Sequence, residues 1–84
     1  MKLHQQIATV QSREDLVSFI GALRKDLEAN RGEWENPTLE CYLEAMESWI
    51  GSMDGYYLNS GQQVPEVPSW KTFADLLYAA KIYE

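Results

Sequence analysis

This sequence contains little cysteine and histidine, no long apolar run, and a central stretch without any basic residue. Among its 84 residues the one cysteine, Cys41, cannot form a disulfide within the chain, whereas small secreted domains usually carry several. No segment approaches the ~20 consecutive apolar residues of a membrane span, and residues 1–11 contain no signal-peptide core. These absences predict a cytoplasmic protein without a membrane anchor.

The residue types that build metal and catalytic sites are also scarce. Zinc sites need clustered cysteine and histidine, but Cys41 and the one histidine, His4, lie far apart. Calcium loops need alternating oxygen ligands, and the stretch DGYYLNSG offers only Asp54 and Asn59. A catalytic nucleophile needs a base beside it, and His4 sits in the N-terminal lead-in. The sequence therefore predicts no metal, no cofactor and no enzymatic activity.

Charge is unevenly distributed along the chain. Thirteen acidic and seven basic residues give a net charge of −6, and residues 32–70 hold seven acidic residues but no lysine or arginine. Direct nucleic-acid binding is disfavoured there, because the carboxylates would repel phosphates. The same acidity can serve solubility alone, or it can attract a protein partner of basic character.

The abundant residues predict one folded unit. Apolar residues make up 45% of the chain, and each of its aromatic side chains buries on the order of 150–250 Å² when enclosed. We expect a single helical domain over residues 1–84, with an all-α fold of three compactly packed helices. Residues 1–11 are expected to form a lead-in without regular structure, either mobile or packed on the bundle.

The first helix is predicted over residues 13–30. Ser12 can cap it, Glu14 and Asp15 favour its N-terminus, and Gly32 follows its end. Apolar residues at three- and four-residue spacing form one stripe along it: Leu16, Phe19, Ile20, Leu23 and Leu27.

The second helix is predicted over residues 37–59, with Asn36 as its N-cap and Pro37 in its first position. Apolar residues at 39, 42, 46, 49, 53 and 56 form a three-four repeat typical of helix bundles, beside others at 43 and 50. Gly51 and Gly55 do not break this repeat, so the helix should continue to the next stop signal, NSG. The two glycines would leave a notch that another segment could approach.

A stiff connector, QQVPEVPS, follows the second helix, because its two prolines cannot continue a helix and favour extended geometry. The last helix is predicted over residues 69–83. Ser69 caps it, and Trp70, Phe73 and Leu77 share one of its faces.

Four carboxylates of the second helix share one face, and three aromatic residues lie near its ends. Like charges one turn apart cost a helix only about 0.2–0.5 kcal/mol per pair, so the acidic face can equally be solvated surface. Tyrosine and tryptophan are frequent anchors of interfaces, although here they can also close the core. The candidate partner-binding residues are Glu40, Glu44, Glu47, Asp54, Tyr56, Tyr57 and Trp34.

Three short motifs give the sequence a resemblance to a known family: W-E-N-x-T-L-E from Trp34, M-D-G-Y-Y from Met53 and P-S-W from Pro68. Over residues 12–84 the chain resembles a family of small, stand-alone bacterial proteins of unknown function. The resemblance implies a free-standing bacterial domain, and it implies no activity for any residue.

The leading functional hypothesis is a non-enzymatic protein-interaction module, inhibitor-like or immunity-like, that presents its acidic helix face to a basic partner. The alternative is a small-molecule-binding or enzymatic protein that uses an aromatic and carboxylate cleft near Gly51 and Gly55. A monomer and a homodimer are both compatible with the sequence, and exposed apolar residues of the last helix are the expected dimer surface.

Overall fold

A computed structural model describes residues 2–83 of the protein. Within this range the chain forms four α-helices and two short 3₁₀ turns and has no β-strand, which confirms the predicted all-α class. The predicted count of three helices is one too few, because it omits the short first helix. The helices are α1 (Leu3–Gln6), α2 (Arg13–Asn30), α3 (Leu39–Asn59) and α4 (Trp70–Ile82), and the 3₁₀ turns are Ile7–Thr9 and Arg31–Glu33.

The prediction that residues 1–11 lack regular structure is wrong for the part that the structure describes, and Met1 lies outside it. α1 continues directly into the first 3₁₀ turn, and Val10 is only 2% exposed. Leu3, Ile7 and Val10 pack in the same apolar cluster as Phe19 of α2. Their spacing of four and three residues puts them on one side of a helical segment, so their joint burial stabilises it.

The predicted bounds of α2, 13–30, are confirmed. Ser12 Oγ accepts a hydrogen bond from the backbone N–H of Asp15 at 3.1 Å, which caps the helix as expected. Phe19 and Leu23, from the predicted apolar stripe, are buried in the core.

The start of α3 differs from the prediction by two residues. Thr38, not Asn36, is the N-cap, and its Oγ1 accepts from the backbone N–H of Cys41 at 3.2 Å. The side-chain amide of Asn36 instead donates to the carbonyl oxygens of Ala80 at 3.0 Å and Tyr83 at 2.7 Å. These carbonyls at the end of α4 lack partners within their own helix, so Asn36 supplies their hydrogen bonds.

The continuation of α3 through both glycines to Asn59 is confirmed. Gly61 follows with a φ of 73°, the left-handed conformation that ends many helices. The last helix runs from Trp70 to Ile82, within one residue of the predicted 69–83 at each end, and Ser69 caps it.

α4 lies between α2 and α3, and those two helices barely meet. Asn36, just before α3, bonds to the end of α4, while Tyr57, near the end of α3, bonds to Asp75 near the start of α4. α3 and α4 are therefore antiparallel. The small side chains Ala74 and Ala80 of α4 are fully buried, which permits close approach of the flanking helices.

An ion pair joins the C-terminal ends of α2 and α4. Lys81 Nζ lies 2.8 Å from Asp26 Oδ2, and both side chains are largely shielded from solvent. Trp34 Nε1 donates to the same carboxylate at 2.8 Å, and Asn30 donates to it at 2.9 Å. The hydrogen bond from Lys81 is the main reason that the pKa of Asp26 falls below its ordinary value, although partial burial opposes it.

Replacing Asp26 by asparagine should remove a pH-dependent part of the stability. The pKa of Asp26 is lower in the folded chain than in the unfolded one, so its contribution is fully present above about pH 5 and is lost as the pH falls further. We expect Asp26→Asn to lower the free energy of unfolding by about 2 kcal/mol at neutral pH, a typical value for a hydrogen bond to a charged group. The difference from the wild type should shrink as the pH falls.

Urea unfolding over a series of pH values measures the difference in the free energy of unfolding between Asp26→Asn and the wild type. Glu28→Gln, at an exposed carboxylate of the same helix, is the matched control and should change stability little at any pH. An Asp26→Asn effect of equal size at neutral and acidic pH would contradict the role given to the ion pair.

Candidate functional site

Four carboxylates of α3 form an exposed row. Glu40, Glu44, Glu47 and Asp54 are all exposed, and at 100° per residue they lie within about 80° of one another around the helix. The ion pairs within residues 2–83 all lie elsewhere: Arg13–Glu14, Lys71–Asp75 and Lys81–Asp26. This acidic row therefore faces solvent without an ion-pair partner in the described chain.

An exposed apolar strip runs alongside the acidic row. It consists of Leu39, Leu43 and Ile50, which occupy the helix face next to the carboxylates, and Leu39 is 68% exposed. Single exposed apolar residues are common on protein surfaces, whereas these three share one helix face and form a patch. The outer surface of α3 is thus amphipathic.

A groove opens between α2 and α3, because α4 separates them. It encloses about 360 Å³, and its lining is almost entirely apolar. Ile20 and Leu27 of α2 line one wall, Leu39 and Tyr42 of α3 line the other, and Leu77 of α4 lies at the base. No side chain among residues 2–83 fills this α2–α3 groove. Its volume falls in the range of about 300–1,000 Å³ that binding sites occupy.

Tyr42 fixes the α3 wall of the groove. Its hydroxyl donates to the carbonyl oxygen of Leu77 at 2.7 Å, and its ring stacks on Trp34 with the centroids 6.0 Å apart. Burial raises the pKa of Tyr42 to about 12, so the hydroxyl stays protonated and remains a donor at physiological pH. The groove is therefore a preformed feature of the fold.

Trp34, a predicted partner-binding residue, lies in the core. It is 8% exposed, and its indole N–H is used by Asp26. Lys81 Nζ sits 5.5 Å from the centroid of its ring, a cation–π contact. Trp34 therefore holds the α2–α3 loop against the end of α4, and its ring offers little surface to a partner.

The two neighbouring tyrosines, both predicted to bind a partner, have different environments. Tyr57 is 3% exposed, and its hydroxyl donates to Asp75 Oδ2 at 2.6 Å. Burial, reinforced by this carboxylate, raises the pKa of Tyr57 well above its ordinary value. Tyr56 is 45% exposed and packs on Trp49, with the centroids 5.4 Å apart. Of the pair, Tyr56 alone is available at the surface.

A second cleft lies beside Gly55, on the other side of α3 from the α2–α3 groove. It encloses about 470 Å³ and combines aromatic rings with polar groups, and of the two glycines Gly55 alone belongs to its lining. We call it the Tyr56 cleft. Its lining includes Ile7, Trp49, Ser52, Gly55, Tyr56, Asn59, Asp75, Tyr78, Ile82 and Tyr83.

Asp75, the carboxylate in this lining, is already engaged. It accepts from the Tyr57 hydroxyl and lies 3.2 Å from Lys71 Nζ, and its side chain is 5% exposed. Such a carboxylate is held in one position and has little surface left for a substrate. The geometry of the Tyr56 cleft therefore favours binding over acid–base chemistry.

The apolar strip was not among the residues predicted to form the site. Its signal was nevertheless in the sequence, because the apolar positions of α3 include 43 and 50 as well as the three-four repeat. Such a set covers a wider arc of the helix than one packing contact requires. The apolar residues of α2 likewise cover a wider arc than its packing buries, so Val17 and Ile20 remain exposed.

The chain belongs to a family of unknown function (DUF7660), whose model matches residues 12–84. The match includes α2, α3 and α4, and so nearly all of the residues of both clefts, and it agrees with the family of unknown function that the motifs indicated. No curated protein and no solved structure matches the chain. None of the helices within residues 2–83 combines the length and the apolar character needed to cross a membrane.

Gly51 lies on the face of α3 that carries the acidic row, and nothing in the described chain requires it to be glycine. A Cβ atom added there would meet no atom within 4 Å, and its φ is not positive. We expect Gly51→Ala to raise the free energy of unfolding by about 0.5–1 kcal/mol, because alanine loses less backbone entropy in a helix.

Gly61→Ala is the matched control and should destabilise the protein, since its φ of 73° disfavours any side chain. Thermal and urea unfolding of the two variants give the comparison. A loss of stability in Gly51→Ala would contradict an open position at Gly51.

Proposed function

We propose that this member of the family is a non-enzymatic protein-docking module, which binds a partner surface that carries basic residues beside apolar ones. The observation that supports this proposal is the α2–α3 groove, whose α3 wall continues into the apolar strip and the acidic row. An apolar surface bordered by carboxylates that have no ion-pair partner is complementary to a partner whose apolar surface is bordered by basic residues. An inhibitor-like or immunity-like role toward a cationic protein is one form of this activity.

Apolar burial would supply most of the affinity. Each square ångström of apolar surface removed from water contributes roughly 25 cal/mol, so burial of the apolar strip and the groove outweighs its surface charges. An exposed ion pair contributes only about 0.2–1 kcal/mol, and salt weakens it further. The acidic row would therefore speed encounter and select basic partners.

A helix is the partner element that fits this surface best. The residues of the apolar strip are spaced by four and seven positions along α3, which is the spacing of one helix face. An amphipathic helix laid along a groove presents side chains at the same intervals. The exposed Cys41 is consistent with a reducing bacterial cytoplasm, which is where we propose that the module acts.

A synthetic amphipathic helix with leucines on one face and flanking lysines is a suitable probe. We expect it to bind the wild type and to bind a Glu40→Lys, Glu44→Lys and Glu47→Lys triple variant at least about tenfold more weakly, because three exposed ion pairs are lost. Isothermal titration calorimetry at two salt concentrations measures both affinities. The same peptide with glutamates in place of lysines should not bind the wild type.

The matched control reverses three glutamates outside the acidic row: Glu14→Lys, Glu33→Lys and Glu66→Lys. This variant has the same net charge as the first, so it should keep the wild-type affinity if the position of the charges matters. Equal weakening by both triple variants would reduce the effect to net charge and would refute the docking surface.

Small-molecule binding in the Tyr56 cleft is a second candidate function, which its volume and aromatic lining favour. The net charge of −6 favours a cationic ligand, and tyrosine and tryptophan faces attract cations. An aromatic ammonium compound is therefore the ligand class that we propose for this cleft.

Melting temperatures test this second candidate. Phenethylamine should raise the melting temperature of the wild type, because a ligand that binds the folded state stabilises it. Gly55→Leu, which fills the cleft, and Tyr56→Ala, which removes an aromatic wall, should both abolish the rise. A rise of the same size with 2-cyclohexylethylamine, which has the charge but no aromatic ring, would argue against aromatic recognition.

A further inference from the structure

The other wall of the α2–α3 groove carries the type of surface that the proposed function requires of a partner. Arg13, Arg24 and Arg31 lie within about 20° of one another around the axis of α2 and its continuation. Val17, 65% exposed, and Ile20 lie beside them on the same face. The three arginines form a basic row that lies between Ile20 and Val17, and the exposed Glu28 lies on the far side of Val17.

The acidic row is separated by the apolar strip from the α2–α3 groove, which the basic row borders directly. Arg24 and Ile20 both belong to its lining on the α2 side, and Leu39 belongs to it on the α3 side. The apolar surface formed by the groove and the apolar strip together thus has arginines on its α2 side and carboxylates on its α3 side. Such a surface is complementary to a copy of itself.

We propose that the partner is a second copy of this chain, so that the protein forms a two-fold dimer through the α2–α3 groove. This inference rests on the proposed function and names its partner. α2 of each subunit packs against α3 of the other, with the apolar strip, Val17 and Ile20 enclosed between them. The basic row of each subunit then faces the acidic row of the other at both edges of the interface.

The charges also determine how the two copies are oriented. A two-fold axis that runs along the groove brings α2 opposite the partner's α3, which pairs unlike rows. A two-fold axis across the groove would bring α2 antiparallel to α2 of the other subunit and place one basic row against the other. Like charges that face one another oppose association, so the pattern selects the axis along the groove.

A standard interface buries ~800 Å² on each partner, which is about one seventh of the 5782 Å² of accessible surface of this chain. An apolar centre with charged edges is the usual anatomy of an interface. Here the apolar centre would be formed by Ile20, Leu39, Leu43 and Ile50 from each subunit, with Val17 beside the arginines.

Complementary charge reversals test the pairing directly. One variant carries Arg13→Glu and Arg24→Glu, which makes both edges of the groove acidic. The other carries Glu40→Lys, Glu44→Lys and Glu47→Lys, which leaves Asp54 as the one carboxylate of the acidic row and makes both edges basic. We expect the wild type to sediment as a dimer and each variant alone to dimerise at least about tenfold more weakly, because every pair of facing rows becomes like-charged.

An equimolar mixture of the two variants should form a heterodimer, since each acidic row then faces a basic one. Analytical ultracentrifugation over a range of concentrations measures all three samples, and circular dichroism checks that each variant is folded. Lys2→Glu with Lys25→Glu, two exposed lysines outside the basic row, is the matched control and should remain dimeric.

The outcomes separate this inference from the proposed function. A wild type that remains monomeric at near-millimolar concentration, or a mixture that does not associate, would overturn the dimer. If the lysine-bearing peptide still bound the acidic row of that monomer, the docking module would stand with another partner. A dimer that all of the reversals leave intact would overturn the groove as its interface.

Discussion

The ion pair between Lys81 and Asp26 is the interaction on which the arrangement of the helices depends. It ties the end of α2 to the end of α4, and Trp34 bonds to the same carboxylate from the loop that leads to α3. Asn36, two residues later, holds the last carbonyls of α4. Because the α2–α3 loop is fastened across the end of α4, α3 must start on the opposite side of that helix from α2.

This arrangement makes α4 the centre of the molecule and divides the core into two parts. One apolar cluster, around Phe19 and Trp34, joins α2 to α4, and the other, around Trp49 and Tyr57, joins α3 to α4. A bundle in which all three long helices met would enclose a single core. With α2 and α3 kept apart, their remaining apolar residues line an open groove between them.

The charged rows of the chain lie beside exposed apolar surface at the groove. Acidic residues on an exposed helix cost little stability, so the acidic row by itself requires no function. The acidic row does, however, lie beside exposed apolar residues, and a row of arginines lies on the other side of the groove. Exposed apolar surface is unfavourable in water, and its burial by a partner with complementary charge removes that penalty.

The local sequence determined most of the secondary structure. Helix caps and three-four repeats predicted α2 within its observed bounds, and the same repeat carried α3 through Gly51 and Gly55. The prediction failed where a residue's role lay far away in sequence. Asn36 resembles an N-cap beside Pro37, yet it bonds to the end of α4 more than forty residues away. Val10 and its neighbours form ordered turns because α2 and α4 give them a surface to pack on.

The candidate site divides in the same way. The sequence by itself determined that α3 carries an acidic row, because helical periodicity fixes which residues share a face. Only the tertiary structure decided that Trp34 and Tyr57 are buried whereas Tyr56 is exposed, since their partners Asp26 and Asp75 come from other helices. It also decided that two helix faces remain uncovered. The sequence of a helix determines which of its faces is apolar, but the packing of neighbouring helices determines whether that face is buried.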